Sequence, residues 1–276
     1  MELTSQVCFC FLLLLPAPAV TEVTSFQNCP QFFLQIQSNR IYPTRLPDQN
    51  RYKEICQMFG GVYEFATLYD TGHRIPVYSA YAFGNYLKTG RRNSWFIEPQ
   101  LDDASAGPNM ASANQNMANL GNSQALNDDY TNSVYDKGHL FPVLHADSQE
   151  SSLATCTLTN AVPQHQHFNR GVWRQMESNV YDYSKTNCLQ PVYIITGAVP
   201  GQNNTKNRVN IPENLWTAFC CQDRNSHQWI SKAHFGPNDD SGTLNETSVS
   251  HLENTLKTHY HTQSFSLFGG NCNDIN

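Results

Sequence analysis

Hydrophobic and polar positions follow two patterns along this chain, each typical of one kind of element. Residues 63–81 hold two runs rich in Tyr, Phe, Val and Thr on either side of an Asp-Thr-Gly turn, which predicts a β-hairpin. In residues 168–183, apolar side chains recur at every fourth position from Val172. That spacing is typical of an amphipathic helix that begins after a polar Asn-Arg-Gly sequence.

Two apolar runs that follow this helix predict further strands. Residues 192–196 suit a strand that is buried on both faces and ends at Gly197, and residues 215–221 suit another. Strands therefore precede and follow the helix without the regular alternation of a doubly wound sheet, which favours an α+β class. The polar residues 102–132 predict a long surface loop with a helical turn around residues 111–120.

The start of the chain has a pattern of its own. An apolar run at residues 7–15 is followed by Pro16 and small residues, which predicts a secretory signal peptide over residues 1–20. The run is too short to span a bilayer, and the polar C-terminal residues predict no membrane anchor. We find no internal repeat or long linker, so we expect residues 21–276 to form a single domain of a secreted, extracellular protein.

Secretion changes the interpretation of the cysteines. Those beyond the predicted leader are Cys29, Cys56, Cys156, Cys188, Cys220, Cys221 and Cys272. An odd number in an oxidising compartment allows at most three disulfides within the chain, and the pairing stays open. Cys220 and Cys221 would point to opposite faces of a strand, so we expect different partners for them, or one outside any disulfide. Two Asn-x-Thr sequons make Asn203 and Asn245 candidate glycosylation sites.

Charge and residue type then narrow the chemistry. A net charge of −6 excludes a polybasic nucleic-acid coat, so any phosphate site has to be local. His139 follows a glycine that permits tight backbone geometry, and Asn160, Asn169 and Glu177 lie downstream. On a helix, Asn169 and Glu177 share one face. Mg²⁺ prefers oxygen ligands and keeps several waters, so one amide and one nearby carboxylate suffice when substrate phosphate completes the site.

Several spaced motifs carry a resemblance to a known family. They are Asp136-Lys137-Gly138-His139, Thr159-Asn160-Ala161-Val162-Pro163-Gln164, the Asn169 to Glu177 helix, Arg92 with Trp95 and Glu98-Pro99, and Thr196-Gly197. In this order they resemble the DNA/RNA non-specific endonucleases, the ββα-metal or His-Me finger enzymes, and among them the animal endonuclease domain-containing 1 group. The resemblance implies an α+β fold with a central, mainly antiparallel sheet flanked by helices.

The resemblance also implies roles for individual residues. His139 would take a proton from the attacking water, a task that suits an imidazole. Asn169 would hold Mg²⁺, or Mn²⁺ in its place. Glu177 and Asn160 would fix metal-bound waters or the backbone around the site. Arg92, or the arginine before it, would neutralise the charge of the transition state.

Lys137, Asp136 and Arg174 are the expected substrate contacts. Contacts to phosphate and sugar carry little sequence information, so the expected substrate is DNA, RNA or both. Lys137 stands where many family members have arginine, and Tyr181 where bacterial members have another. These departures leave open an alternative hypothesis. In it, the protein is a secreted glycoprotein with a nuclease fold and weak or no catalytic activity, and it acts as a binding or immune-associated module. A nucleotide phosphodiesterase or an exonuclease would use the same site.

Overall fold

An eight-stranded, mainly antiparallel sheet organises the chain in this computed structural model, which describes residues 21–84, 90 and 94–275. The strands of the large sheet and of a separate pair are, in chain order, β1 (Tyr52–Phe59), β2 (Val62–Asp70), β3 (Ile75–Phe83), β4 (Tyr135–His139), β5 (Ala161–His165), β6 (Cys188–Val199), β7 (Asn214–Asp223), β8 (Trp229–Pro237), β9 (Asn245–Thr247) and β10 (Asn273–Asp274). The large sheet has the order β9-β8-β7-β6-β3-β2-β1, and β10 pairs with β8 in parallel. Strands β4 and β5 pair separately, so they stand apart from the large sheet.

Helices and short elements connect these strands. The longer α-helices are α1 (Gln149–Ala154), α2 (Arg174–Asn187) and α3 (Val249–His259). Short helical segments lie at Phe26–Asn28, Pro30–Phe32, Pro99–Asp102, Asn127–Tyr130, Val143–His145, Leu158–Asn160, Gln166–Phe168 and Asn169–Trp173. Two-residue strands pair Gln35–Ile36 with Asn39–Arg40, Phe96–Ile97 with Ala111–Ser112, and Asn204–Thr205 with Val209–Asn210. Among the described residues, no helix has both the length and the apolar character needed to cross a membrane.

Most elements expected from the pattern are confirmed. Strands β2 and β3 form the predicted hairpin, and residues 192–196 and 215–221 lie within β6 and β7. The run at residues 192–196 is buried because β6 has a neighbouring strand on each side. The helical turn expected around residues 111–120 is wrong. Those residues, all described, form turns and a short strand that pairs with Phe96–Ile97. Pairing with another segment of the same chain therefore replaces local helix formation.

The large sheet separates two hydrophobic cores. Because neighbouring side chains on a strand point to opposite faces, β7 sends Phe219 into one core and Trp216 into the other. The first core lies against α2 and includes its buried Met176. The second lies against α3 and includes Leu252. The two sides of the sheet are therefore packed independently, and α2 belongs to only one of them.

Three disulfides cross-link the chain, and each of them lies on one side of the large sheet. They join Cys29 to Cys56, Cys188 to Cys221, and Cys220 to Cys272. Cys220 and Cys221 therefore have different partners, as expected, because one lies in each core. Cys156 is buried outside the three disulfides.

Two carboxyl groups are buried together at the edge of the first core. Glu22 and Glu98 are both fully buried, and their carboxyl groups are close enough to interact electrostatically. The hydroxyls of Thr157 and Thr159 donate to Glu98 Oε1 at 2.8 and 3.1 Å. Burial and the neighbouring carboxylate raise the pKa of Glu22 above its ordinary value, and burial also raises that of Glu98. The fold therefore takes up protons here that the unfolded chain releases.

This pair predicts the pH dependence of stability. A raised carboxyl pKa adds stability below the unfolded value of about 4.3, and this contribution is lost as the pH rises. We expect the melting temperature to decline from pH 5 to pH 8, and Glu22→Gln to reduce that decline because an amide needs no proton. Thermal unfolding of the wild type and of Glu22→Gln at pH 5 and pH 8 measures this decline. Asp240→Asn is the control, because Asp240 is exposed. An unchanged slope in Glu22→Gln would contradict the assignment.

Candidate active site

The site is built on the β4–β5 pair and the helical segment that follows it. The two strands pair antiparallel, with His139 opposite Ala161 and Asp136 opposite Gln164. Gly138 permits this approach, because a Cβ at that position would collide with the Gln164 side chain. The chain leaves β5 directly into Gln166–Phe168, so His139 lies at the end of one strand and close to the helical segment.

The helical segment is irregular where the functional side chains lie. Residues 166–187 are helical, as predicted, but a π-turn at Asn169–Trp173 contains Gly171 with φ −100° and ψ −110°. Trp173 is only 1% exposed and packs in the first core. Asn169 and Glu177 instead line the same cleft. The structure therefore brings these two side chains together across the irregular turn.

A cleft of about 680 Å³ opens over this unit. Its lining comprises Trp95, Asp136, Lys137, His139, Pro142, Val143, Leu144, Asn169, Arg170, Arg174, Glu177 and Ser178. Six of these were expected from the sequence as site residues. Of the other two expected residues, Asn160 does not line the cleft, and Arg92 lies outside the described residues, as do Lys88 and Arg91.

Asp136 fixes the orientation of the Asn169 side chain. The Nδ2 of Asn169 donates to Asp136 Oδ2 at 2.9 Å, so the amide oxygen is the atom left for other ligands. The guanidinium of Arg170 also donates to Asp136 through two hydrogen bonds, at 2.8 and 2.7 Å. We expected Asp136 to contact substrate. In the structure this carboxylate accepts hydrogen bonds from Asn169 and Arg170, so it orients Asn169, and its contact with substrate stays a prediction.

His139 contacts two described side chains, those of Trp95 and Cys156. The ring of Trp95 lies against the imidazole with a centroid distance of 5.1 Å, and Cys156 Sγ lies 3.6 Å from Nε2. His139 is partly buried and still lines the cleft. The imidazole is therefore placed beside the space that a substrate would occupy.

Glu177 is the cleft residue with the clearest electrostatic shift. Burial raises the pKa of Glu177 to about 8, and Arg174 opposes part of this rise. The backbone carbonyl of Glu177 lies 2.9 Å from Nε2 of His145, which is itself buried. Burial lowers the pKa of His145 to about 4, so this histidine is neutral, donates to Glu177 and accepts from the Tyr81 hydroxyl at 2.9 Å. His145 thus fixes the α2 backbone at Glu177.

Lys137 is a positive group in the cleft with defined neighbours. Its Nζ donates to Asn127 Oδ1 at 2.6 Å and lies 4.7 Å from the centroid of the Trp95 ring. Burial lowers the pKa of Lys137, while nearby Asp128 raises it. The exposed Arg174 lines the same cleft. These two cations give the cleft local positive charge on a chain of negative net charge.

Asn160 is a structural residue in this geometry. Its side chain is fully buried; Oδ1 accepts from Ser79 Oγ and the backbone N–H of Phe141 at 2.8 and 2.9 Å. Its Nδ2 donates to the carbonyls of Phe141 and Thr155 at 3.0 and 2.9 Å. These bonds use the amide within the protein. Of the two expected roles, holding backbone next to His139 fits and fixing a metal-bound water does not.

Tyr181 takes no part in lining the cleft. Its ring stacks on Phe83 and His145, with centroid distances of 6.2 and 6.4 Å. The position where bacterial relatives are expected to have arginine therefore belongs to an aromatic stack. Arg170 and Arg174 are the arginines that the described helical segment presents to the cleft.

Sequence reasoning missed two neighbours of the imidazole, Trp95 and Cys156. Trp95 was treated only as part of a motif, and Cys156 only as a candidate disulfide partner. The odd number of cysteines was a signal that one of them would have another environment. It did not indicate which one.

The donor set suits a hard cation with few protein ligands. The described residues hold no group of three or more His, Cys, Asp and Glu side chains arranged to bind a metal. A Mg²⁺ site needs no such group, since the ion keeps waters and uses substrate phosphate. The oriented amide oxygen of Asn169, with Glu177 in the same cleft, fits that requirement.

The family is decided by comparison over most of the chain. The model for DNA/RNA non-specific endonucleases matches residues 54–264. The chain belongs to this endonuclease family. The match includes every cleft residue named above and confirms the resemblance that the motifs predicted.

Curated relatives refine the position within the endonuclease family. The chain is 38% identical over 217 residues to the endonuclease domain-containing 1 protein of Mus musculus, and 36% identical over 206 residues to that of Homo sapiens. The matches cover 76% and 72% of this chain, but only 40% of each relative's length. Human mitochondrial endonuclease G is 39% identical over 75 residues, which are 27% of this chain and 25% of that protein. The animal endonuclease domain-containing 1 group is therefore confirmed.

The fold is shared with a solved nuclease structure. The EndoG/EndoGI complex contains a chain that matches with a TM-score of 0.56 and 18% identity, over 76% of this chain and 87% of that one. At this identity the likeness shows the fold. The predicted ββα-metal fold, with a mainly antiparallel sheet flanked by helices, is confirmed.

Proposed function

We propose that this protein is a secreted, metal-dependent endonuclease that hydrolyses phosphodiester bonds of DNA, RNA or both with little sequence specificity. Membership of the endonuclease family supports nucleic acid as the substrate. The observation that carries the proposal is the convergence of His139, Asn169 and Glu177 in one cleft that also holds Lys137 and Arg174. A general base, an oxygen ligand and phosphate-binding cations are the groups that this hydrolysis needs.

His139 takes a proton from the attacking water in this proposal. Its ring is fixed by Trp95 and Cys156, so little reorganisation is needed to present it to the cleft. Asn169 would hold a divalent ion through its amide oxygen, and Asp136 keeps that oxygen oriented. A bound Mg²⁺ supplies Lewis-acid stabilisation of charge on the phosphate and on the departing oxygen.

Lys137 and Arg174 bind the phosphodiester by charge. Such contacts do not read base edges, which supports activity on many sequences. Glu177, which lines the same cleft, holds a water close to the ion in this proposal. Arg92 remains the proposed stabiliser of the transition-state charge, from sequence alone.

Secretion fits the covalent structure. Three disulfides are typical of an oxidising compartment. The leader over residues 1–20 remains a proposal from sequence. Asn203 and Asn245 are both exposed, as glycan attachment requires, and they remain proposed glycosylation sites.

A second candidate is a nuclease-fold glycoprotein with weak or absent turnover that acts as a binding or immune-associated module. The observations that favour it are the negative net charge and the engagement of Lys137 by Asn127. The orientation of Asn169 and the contacts that position His139 favour the hypothesis of an enzyme, because a binding module has no need of either.

Cleavage of circular DNA tests the proposal. Purified protein with Mg²⁺ should nick supercoiled plasmid and degrade RNA, and EDTA should stop both reactions. Circular DNA has no ends, so its cleavage excludes an exonuclease or a nucleotide phosphodiesterase. A folded protein that leaves both substrates intact with Mg²⁺ or Mn²⁺, over a range of pH and salt, would favour the binding module.

A further inference from the structure

Cys156 occupies an unusual place for a cysteine in a disulfide-bonded domain. It is only 2% exposed, and its sulfur lies 3.6 Å from Nε2 of His139. The six other cysteines beyond the predicted leader form the three disulfides. The site therefore has a thiol against the imidazole of the proposed base.

The backbone on both sides of this thiol is fixed. The N–H of Cys156 donates to the carbonyl of Leu153 at 3.1 Å, and its carbonyl accepts from the N–H of Phe96 at 2.9 Å. The second bond joins Cys156 to the segment that carries Trp95, whose ring centroid lies 5.1 Å from that of His139. The imidazole thus contacts two residues whose segments are joined by a backbone hydrogen bond.

The contact distinguishes the two ring nitrogens of His139. A neutral imidazole carries its proton on one nitrogen, and a partner at Nε2 decides which one. A sulfur that accepts from Nε2–H leaves the Nδ1 lone pair for a proton. Nε2 faces the buried sulfur, so in the proposed function the nitrogen that serves the water is Nδ1, and Nε2 then carries the ring proton that the sulfur accepts.

We propose that Cys156 is a positioning residue for His139, whose sulfur accepts the Nε2 proton and leaves Nδ1 as the nitrogen that takes a proton from water. The inference rests on the proposed function for the role of His139 as the base. The tautomer itself is independent of turnover and can be measured separately.

Nitrogen-15 NMR of the folded protein tests the tautomer. Long-range ¹H–¹⁵N correlation should show His139 protonated at Nε2, with its signals assigned by their loss in His139→Gln. His145 serves as an internal reference, because its Nε2 donates to the Glu177 carbonyl. Cys156→Val, which fills similar space without an acceptor, should shift His139 toward a mixture of tautomers. A wild-type His139 protonated at Nδ1, or an unchanged pattern in Cys156→Val, would overturn the proposal.

Kinetics of the same variants separate positioning from packing. Cys156→Val and Cys156→Ala should lower kcat about tenfold, with little change in KM. A tenfold loss is at the low end of the losses in activity that follow removal of a group that orients a functional side chain. Cys156→Ser should recover most of the rate, because a hydroxyl also accepts. Equal losses in all three variants would show a packing role and overturn the proposal. If wild-type protein shows no turnover, the proposed function fails while the NMR experiment still decides the tautomer.

Discussion

Replacing His139 with alanine is expected to lower kcat for plasmid cleavage by about 10²- to 10⁴-fold, the usual contribution of a general base. The imidazole lines the cleft beside Trp95, and no other histidine of the described residues lines this cleft. The nearby His145 is buried and hydrogen-bonded at both nitrogens, so it cannot take over. Initial rates of nicking with Mg²⁺ in excess measure the loss.

The fold should survive this change, because His139 is only partly buried and lies outside both cores. His251→Ala is a matched control: this histidine is exposed on α3, which packs on the opposite face of the large sheet. It should leave the rate within about twofold of the wild type. Full activity in a folded His139→Ala protein would rule out the proposed base.

Replacing Asn169 with alanine is expected to be the second large loss, about 100-fold or more in kcat/KM at limiting Mg²⁺, since a directly bound ligand should matter at least as much as an outer partner. Asp136 orients this amide side chain, which lines the cleft, through the 2.9 Å bond to Nδ2. Raising the Mg²⁺ concentration should recover part of the activity, because waters can occupy the lost position. A Mg²⁺ titration of the cleavage rate measures this shift.

Binding of Mn²⁺, followed by electron paramagnetic resonance, gives a readout of the site apart from activity. It should weaken in Asn169→Ala. Asn179→Ala is the matched control, because Asn179 is an exposed amide on α2 that bonds only to Gln175 in the described contacts. Equal Mg²⁺ dependence of the wild type and Asn169→Ala would show that this amide does not hold the ion.

Local patterns in the sequence were sufficient for much of the fold. The β2–β3 hairpin, the strand at residues 192–196 and the helical segment after β5 each have a periodicity that their own residues specify. The spacing of the Asp136 to His139 motif and of Asn169 and Glu177 also gave the cleft lining, because both segments belong to one compact ββα unit. The turn expected around residues 111–120 failed where pairing with a distant segment outweighed local preference.

The orientation of each side chain depended on distant parts of the chain. The motifs that contain Asp136 and Asn160 are compatible with more than one role for each side chain. Their hydrogen bonds show that Asp136 orients Asn169 and that Asn160 holds backbone. The odd cysteine count predicted one thiol outside the disulfides, while packing alone selected Cys156 and set it against His139.

The sequence by itself determined which elements form and which residue types are available, because periodicity and motif spacing are properties of neighbouring residues. Tertiary structure decided which groups meet. Trp95, His139 and Cys156 come from three separate segments, and their contacts arise only after the strands pair and the first core closes around them. A one-dimensional pattern contains no distances between such segments, so the arrangement around the imidazole became visible only in the fold.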